Sequence, residues 1–281
     1  MKQWVKYLSS VIVGLGLLSV GVTAQAQQVV TKSGRTYNSR VVRSAGWRLW
    51  RTAATKQAVR KTGNLTGKLV QIDRVAHVGQ ATYMQISRRG HVYGWLNQKG
   101  LRTTKKFVLP YTYTSQLYPL YAPNGCEAAS LKMALSVKGI ATKTSLKTII
   151  SKMPKAKTPS KGFVGNPYTE SRPGETRTIY PKPLTAYTNT YDARATNITG
   201  ATKKQLIREI KRGNAVIFAG AWRMQGSRPY HVLTLVGYRR GQFLVADPYM
   251  KKSWPNKTYW TGTRNFMKVY QSRHSRAIAV R

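Results

Sequence analysis

The sequence predicts an α+β chain built in two units. A small all-β unit is expected over residues 27–107, and a larger α+β unit with an antiparallel sheet over residues 108–281. Three observations point there. Residues 40–107 hold short alternating runs separated by turn residues at intervals of about ten, the pattern of a small barrel or sandwich. After residue 108 two helical periods appear before any strand-like run. Strand-like runs then crowd the last third, and helices followed by strands indicate α+β.

In the first unit the runs are Lys68–Ile72, Ala81–Ile86 and His91–Leu96. Thr62-Gly63-Asn64, Arg89-Gly90 and Lys99-Gly100 supply the turns between and after them. In the second unit Glu127–Val137 has Ala128, Leu131 and Leu135 on one face, and Gly139 ends the helix. Ser145–Met153 is a second helix, with Leu146, Ile149, Ile150 and Met153 inward and Pro154 stopping it. Residues 155–200 are rich in Pro, Gly, Thr and Tyr and read as loops with one or two short elements. Thr202–Arg212 is a third helix, opened by a Thr202-x-x-Gln205 capping box. Ala215–Gly220, Val232–Gly237, Gln242–Ala246 and Ala277–Val280 are the expected strands.

Charge and cysteine content exclude several classes. The 281 residues carry 48 Lys+Arg against 7 Asp+Glu, a formal net charge of +41. Hydrophobic residues make up 41%, which separates the chain from disordered basic tails. The acids are Asp73, Glu127, Glu170, Glu175, Asp192, Glu209 and Asp247. Such a set leaves little for a carboxylate-rich Ca²⁺ or Mg²⁺ site or a glycosidase pair. One cysteine, Cys126, excludes an internal disulfide and a Cys-rich zinc site. His77, His91, His231 and His274 lack ligand spacing, so no metal or cofactor is expected.

The first 26 residues read as a secretory signal peptide: Lys2 and Lys6, an apolar run from Val11 to Val22, then Ala24-Gln25-Ala26. That run is short of the ~20 residues that span a bilayer, and no second one follows, so no transmembrane segment is expected in the mature chain. A strongly cationic exported protein attracts polyanions. Without a helix-turn-helix or RNA-binding signature, specific nucleic-acid recognition is not expected.

Cys126 sits in Pro123-Asn124-Gly125-Cys126-Glu127, a turn opening into a helix. Free N–H groups and partial positive charge at a helix N-terminus favour thiolate, so a lowered pKa is expected. Gly125 is expected to leave room for a substrate backbone. The plain alternative is an inert buried cysteine. His231 begins one strand and Asp247 ends the next, and a hairpin pivoting near Arg239 would set them directly opposite each other. Asp247 would then hold the Nδ1–H of His231, and the imidazole could take the proton of Cys126. A slip of one residue would put the two side chains on opposite faces, leaving a sheet histidine and a turn-opening aspartate.

Two resemblances add to this reading. Gly90–Leu101, GHVYGWLNQKGL, resembles the end of SH3-like bacterial wall-binding domains of the GW type. The likeness implies tethering to a Gram-positive envelope through anionic teichoic or lipoteichoic acid. Core packing is the plainer role for Tyr93 and Trp95. Residues 108–281 resemble the C39-like peptidases, cysteine hydrolases of papain-like fold. The matching residues are Ser115-Gln116, Asn124–Leu135, Gly162–Asn166, Ile179-Tyr180-Pro181, Gly213–Ile217, His231–Tyr238 and Val245–Pro248. That resemblance implies Cys126 as nucleophile, His231 as base, Asp247 as orienting residue and Gln116 as oxyanion-hole donor. The expectation is a secreted hydrolase retained at the cell wall, cleaving an amide in a peptide or protein through a thioester. The same triad could serve acyl transfer, or the domain could be an inactive envelope-binding module.

Overall fold

The computed structural model describes residues 28–32, 39–54 and 57–281. The expected signal peptide lies outside the described residues.

The first sheet contains β1 (Gln28–Lys32), β2 (Arg40–Val42), β3 (Arg48–Trp50), β4 (Ala58–Lys61), β5 (Leu69–Val78), β6 (Ala81–Arg88), β7 (His91–Asn97) and β8 (Leu101–Arg102). They pair antiparallel in the order β4-β3-β7-β6-β5-β2-β8, with β1 also on β5. Arg89 and Gly90 both have positive φ, the two-residue turn whose twist suits a hairpin. The Gly-Trp pair has a steric reason. Gly94 has a φ of +122°, and a Cβ there would lie 2.7 Å from the Trp50 carbonyl oxygen. Trp95, paired with Trp50, is buried beside Ala53 and Ala76, so its ring is core. Tyr93 is half-buried under the Arg60 guanidinium, 4.4 Å from the ring centre.

The second sheet starts at β9 (Phe107–Val108), which pairs with a strand more than a hundred residues later. Then come α1 (Cys126–Val137), α2 (Leu146–Lys152), α3 (Pro181–Asn189), β10 (Ala195–Asn197), α4 (Lys203–Lys211), β11 (Ala215–Ala221), β12 (Tyr230–Arg239), β13 (Gln242–Ala246), β14 (Thr258–Gly262), α5 (Thr263–Ser272) and β15 (Ala277–Val280). The strand order is β10-β15-β11-β12-β13-β14, with β9 also on β12. All pairings are antiparallel. The expected Thr202 capping box closes with both bonds, Gln205 N–H to the Thr202 hydroxyl and Thr202 N–H to Gln205 Oε1.

Two helices, α3 and α5, and several short strands, β14 among them, escaped the sequence reading. α3 opens Pro181-Lys182-Pro183 and reads as loop, yet proline in a first turn surrenders only N–H groups that have no intrahelical partner anyway. α5 buries Phe266, Val269 and Tyr270 at spacings of three and one, a helical stripe too short to stand out. β14 is the edge strand against β13.

Helix α1 is buried on nearly every side. Ser130 Oγ donates to the Val232 carbonyl, and Thr234 Oγ1 donates to the Ser130 carbonyl, each at 3.2 Å. These two bonds bolt the first turns of α1 to β12. The far end of α1 meets the first sheet. A Cβ on Gly139 would lie 2.0 Å from the Arg89 carbonyl oxygen, so only glycine fits there. Lys138 reaches across to Gln71 and Asn214, and burial lowers its ammonium to about 8 despite Asp73 and Glu209 nearby.

Candidate active site

The site forms where the N-terminus of α1 meets the start of β12 and the end of β13. Gly125 is the N-cap, without a side-chain capping bond. A Cβ there would come within 3.0 Å of Ala122 Cβ and within 3.4 Å of Ile150 Cδ1. The chain itself, rather than a substrate, occupies the space that glycine leaves.

Cys126 is buried at 7% exposure. Its thiol donates to Glu127 Oε2 at 3.1 Å and receives the Val232 backbone N–H. That second contact puts Sγ one residue from His231 on β12. Among the described residues, no hydrogen bond joins the thiol to His231; the proton goes to Glu127. The expected lowering of the thiol pKa is reversed. Burial raises it well above the ordinary value, and the Glu127 charge and hydrogen bond raise it further. Those effects outweigh the N–H groups of Val232 and Glu127, because desolvation acts on the whole thiolate charge while the helix terminus supplies only partial charges.

Glu127 lies outside the expected catalytic set and has no exposure at all. Oε1 accepts the Thr178 hydroxyl and the Ile179 N–H, at 3.3 Å for the latter, while Oε2 accepts the thiol. Burial raises this carboxyl despite the three donors. The signal was present in the sequence: a carboxylate beside the cysteine in the first turn of a mostly apolar helix. Glu127→Gln is expected to shift the acid limb of Cys126 alkylation to lower pH and to speed alkylation at pH 7 several-fold, because charge repulsion on the thiolate disappears. Iodoacetamide rates measured across pH check this, and an unmoved limb would remove Glu127 from control of the thiol.

His231 and Asp247 do meet, by a different route from the one expected. The turn is Arg240-Gly241, pairing Arg239 with Gln242. That register alone would place Asp247 on the opposite face from His231. A bulge at Val236 inserts one residue, after which Leu235 pairs with Val245 and Thr234 with Ala246. Asp247 thus projects diagonally onto the face of His231, two places from direct opposition. His231 Nε2, not Nδ1, meets Asp247 Oδ1, at 2.8 Å.

Asp247 is completely buried. Its Oδ1 also accepts the Tyr249 N–H and its Oδ2 the Arg223 N–H, both at 3.0 Å, with the Tyr259 hydroxyl at 3.5 Å. Arg223 reaches there through a left-handed backbone, φ 51°. Burial pushes the Asp247 carboxyl up, but His231 and these N–H groups outweigh it and hold it below the usual value.

Gln116 lies against the cysteine turn, fully buried. Its Nε2 donates to the Pro123 carbonyl at 2.6 Å and to the Ala122 carbonyl at 3.3 Å, while Oε1 has no partner.

Comparison with known proteins bears on the family and the fold. Residues 108–278 match the Peptidase_C39 like family, more than half of the chain. The chain belongs to that family. Residues 22–102 match the GW (Gly-Tryp) dipeptide domain. A crystal structure of a C39-like peptidase from Bacillus anthracis superposes with a TM-score of 0.53 at 21% identity. The match covers 63% of this chain and 98% of that one, and at this identity it shows the shared fold. An autolysin from Listeria monocytogenes overlaps 31% of this chain and 42% of its own at 16% identity, with a TM-score of 0.22, too low to bear on the fold. No curated protein matches the chain. Among the described residues, no helix of this family member is long and apolar enough to cross a membrane.

Proposed function

We propose that this protein is an exported, envelope-associated cysteine peptidase that hydrolyses an amide through a thioester on Cys126. The observation carrying this reading is the buried His231–Asp247 pair beside a thiol held at a helix N-terminus. Asp247 accepts the Nε2 proton of His231, which leaves Nδ1 as the free base. Cys126 passes its proton to that nitrogen as Sγ attacks the scissile carbonyl carbon. The tetrahedral oxyanion is received by the Cys126 backbone N–H and by the Gln116 amide. The imidazolium then protonates the leaving amine, and a water activated by the same imidazole hydrolyses the thioester. To begin, the thiol must leave Glu127 and turn toward His231.

One observation favours the second reading, an inactive binding module: the resting thiol is protonated and bonded to Glu127. Wild-type and Cys126→Ala protein incubated with a peptide library and purified cell wall, followed by mass spectrometry, decide between them. Identical product lists would sink the peptidase reading.

The first sheet supplies the tether in this proposal. It carries the GW match on a chain of +41 charge. Retention on teichoic-acid-bearing wall is expected to fall steeply and linearly in log–log form as salt rises, because bound counterions are released. Salt-insensitive retention in a sedimentation assay would contradict an electrostatic tether.

A further inference from the structure

Most of the seven acids have internal duties. Glu127 and Asp247 serve the site, Glu209 pairs with Arg281 and Glu175 with Arg177. Glu170 differs. It is exposed, and among the described residues no cation comes within ion-pair distance of it. Among the described residues Asp73, Glu127 and Asp192 likewise have no Lys or Arg at that distance, so what sets Glu170 apart is its place on a loop held by the cysteine turn. On the same loop the Arg177 guanidinium pairs with Glu175, which also accepts the Arg172 backbone N–H.

Tyrosines surround Glu170 instead. The Tyr121 hydroxyl donates to its Oε1. Tyr249 lies within electrostatic reach of both Glu170 and Tyr121, and its ring stands edge-on to His231, with centres 6.0 Å apart at 85°. Tyr121 is 54% exposed, and Tyr168, two residues before Glu170, is 37% exposed. The cysteine turn holds this loop in place. The Asn124 side chain donates to the Thr169 carbonyl at 2.6 Å and accepts the Ser171 hydroxyl at 2.8 Å, and its N–H meets the Pro167 carbonyl. The carboxylate therefore stands on a loop pinned two residues from Cys126 and bounded by a ring that packs on the base.

We propose that Glu170, Tyr121 and Tyr249 form a subsite for an ammonium group of the substrate, so that the enzyme selects peptides carrying a primary amine near the scissile bond. The inference rests on the peptidase reading. A carboxylate and tyrosine faces are complementary to an alkylammonium ion through charge and cation–π attraction. Such a site also answers a problem the protein sets itself, since a strongly cationic protein repels cationic substrates unless a local carboxylate receives them.

The test uses full-length protein and three methanethiosulfonate reagents of similar size: aminoethyl (cationic), methyl (neutral) and sulfonatoethyl (anionic). Rates of modification of Cys126 are compared within each variant, so any effect of a substitution on the thiol itself cancels in the ratio. Glu170→Gln is expected to lower the cationic-to-neutral ratio about tenfold and to raise the anionic-to-neutral ratio. Tyr121→Phe, which removes the hydrogen bond but keeps ring and charge, is expected to leave the cationic-to-neutral ratio within about twofold. An unchanged ratio in Glu170→Gln overturns the subsite. So does an equal fall in both variants, which would make Glu170 only a latch for the loop. If the neutral reagent does not modify wild-type Cys126, the peptidase reading itself falls and this inference goes with it.

Discussion

Replacing Cys126 by alanine is expected to cut peptide hydrolysis by on the order of 10⁴-fold or more, the scale on which a catalytic nucleophile matters. The folded protein should keep its stability at pH 7 to within about 1 kcal/mol. The change removes one atom from a site where Glu127 keeps its Thr178 and Ile179 donors. A pH signature accompanies the substitution. The thiol pKa is raised in the folded protein, so the folded state holds its proton where the unfolded state has lost it. Its contribution is fully present below the ordinary thiol value of ~8.5 and is lost as pH rises above it. Urea unfolding from pH 7 to 10 should show wild-type stability declining relative to Cys126→Ala. Parallel curves would mean that the thiol is not buried as described.

Asp247→Asn carries the other large effect. A decrease in kcat of about 10³- to 10⁴-fold is expected, because asparagine cannot hold the imidazole and stabilise its cation as the carboxylate does. Stability should suffer as well. His231 Nε2, the Arg223 N–H and the Tyr249 N–H all donate to this one carboxylate, which is wholly buried. Asparagine offers one acceptor oxygen, and its NH₂ must confront at least one of these donors. A buried donor left unmatched costs about 1–3 kcal/mol. The lowered carboxyl pKa fixes the sign of the acid dependence: its stabilisation is present above ~3.9 and is lost as pH falls through the lower folded value. Acid unfolding of the variant should therefore be shallower than that of the wild type. A variant with wild-type kcat would leave His231 without need of this partner.

Much of the fold was legible because its clues are local. The Thr202 capping box, the Ser145 start of α2 and the two-residue turn at Arg89-Gly90 involve neighbours in sequence. β5, β6 and β7 follow from alternation alone. α3 was hidden because its prolines look like breakers until their place in the first turn is known. β9 was hidden because two residues have no period, and its partner β12 is far along the chain.

The same divide runs through the site. The sequence by itself supplied the candidates: a single cysteine at a turn-to-helix junction, a histidine opening one strand, and an aspartate following the next, with Gln116 upstream. It also determined that very few acids exist, which makes each placement telling. Tertiary structure decided how the parts face. A bulge of one residue at Val236 set the parity that brings Asp247 to His231, and the bond formed at Nε2 rather than Nδ1. It decided the direction of the thiol pKa too. A helix terminus is local and favours the thiolate, but the burial that raises the thiol exists only once the chain is folded, and Glu127 is held beside the sulfur by Thr178 and Ile179, 51 and 52 residues further along. Burial is a property of the assembled protein, and here it outweighs the local effect.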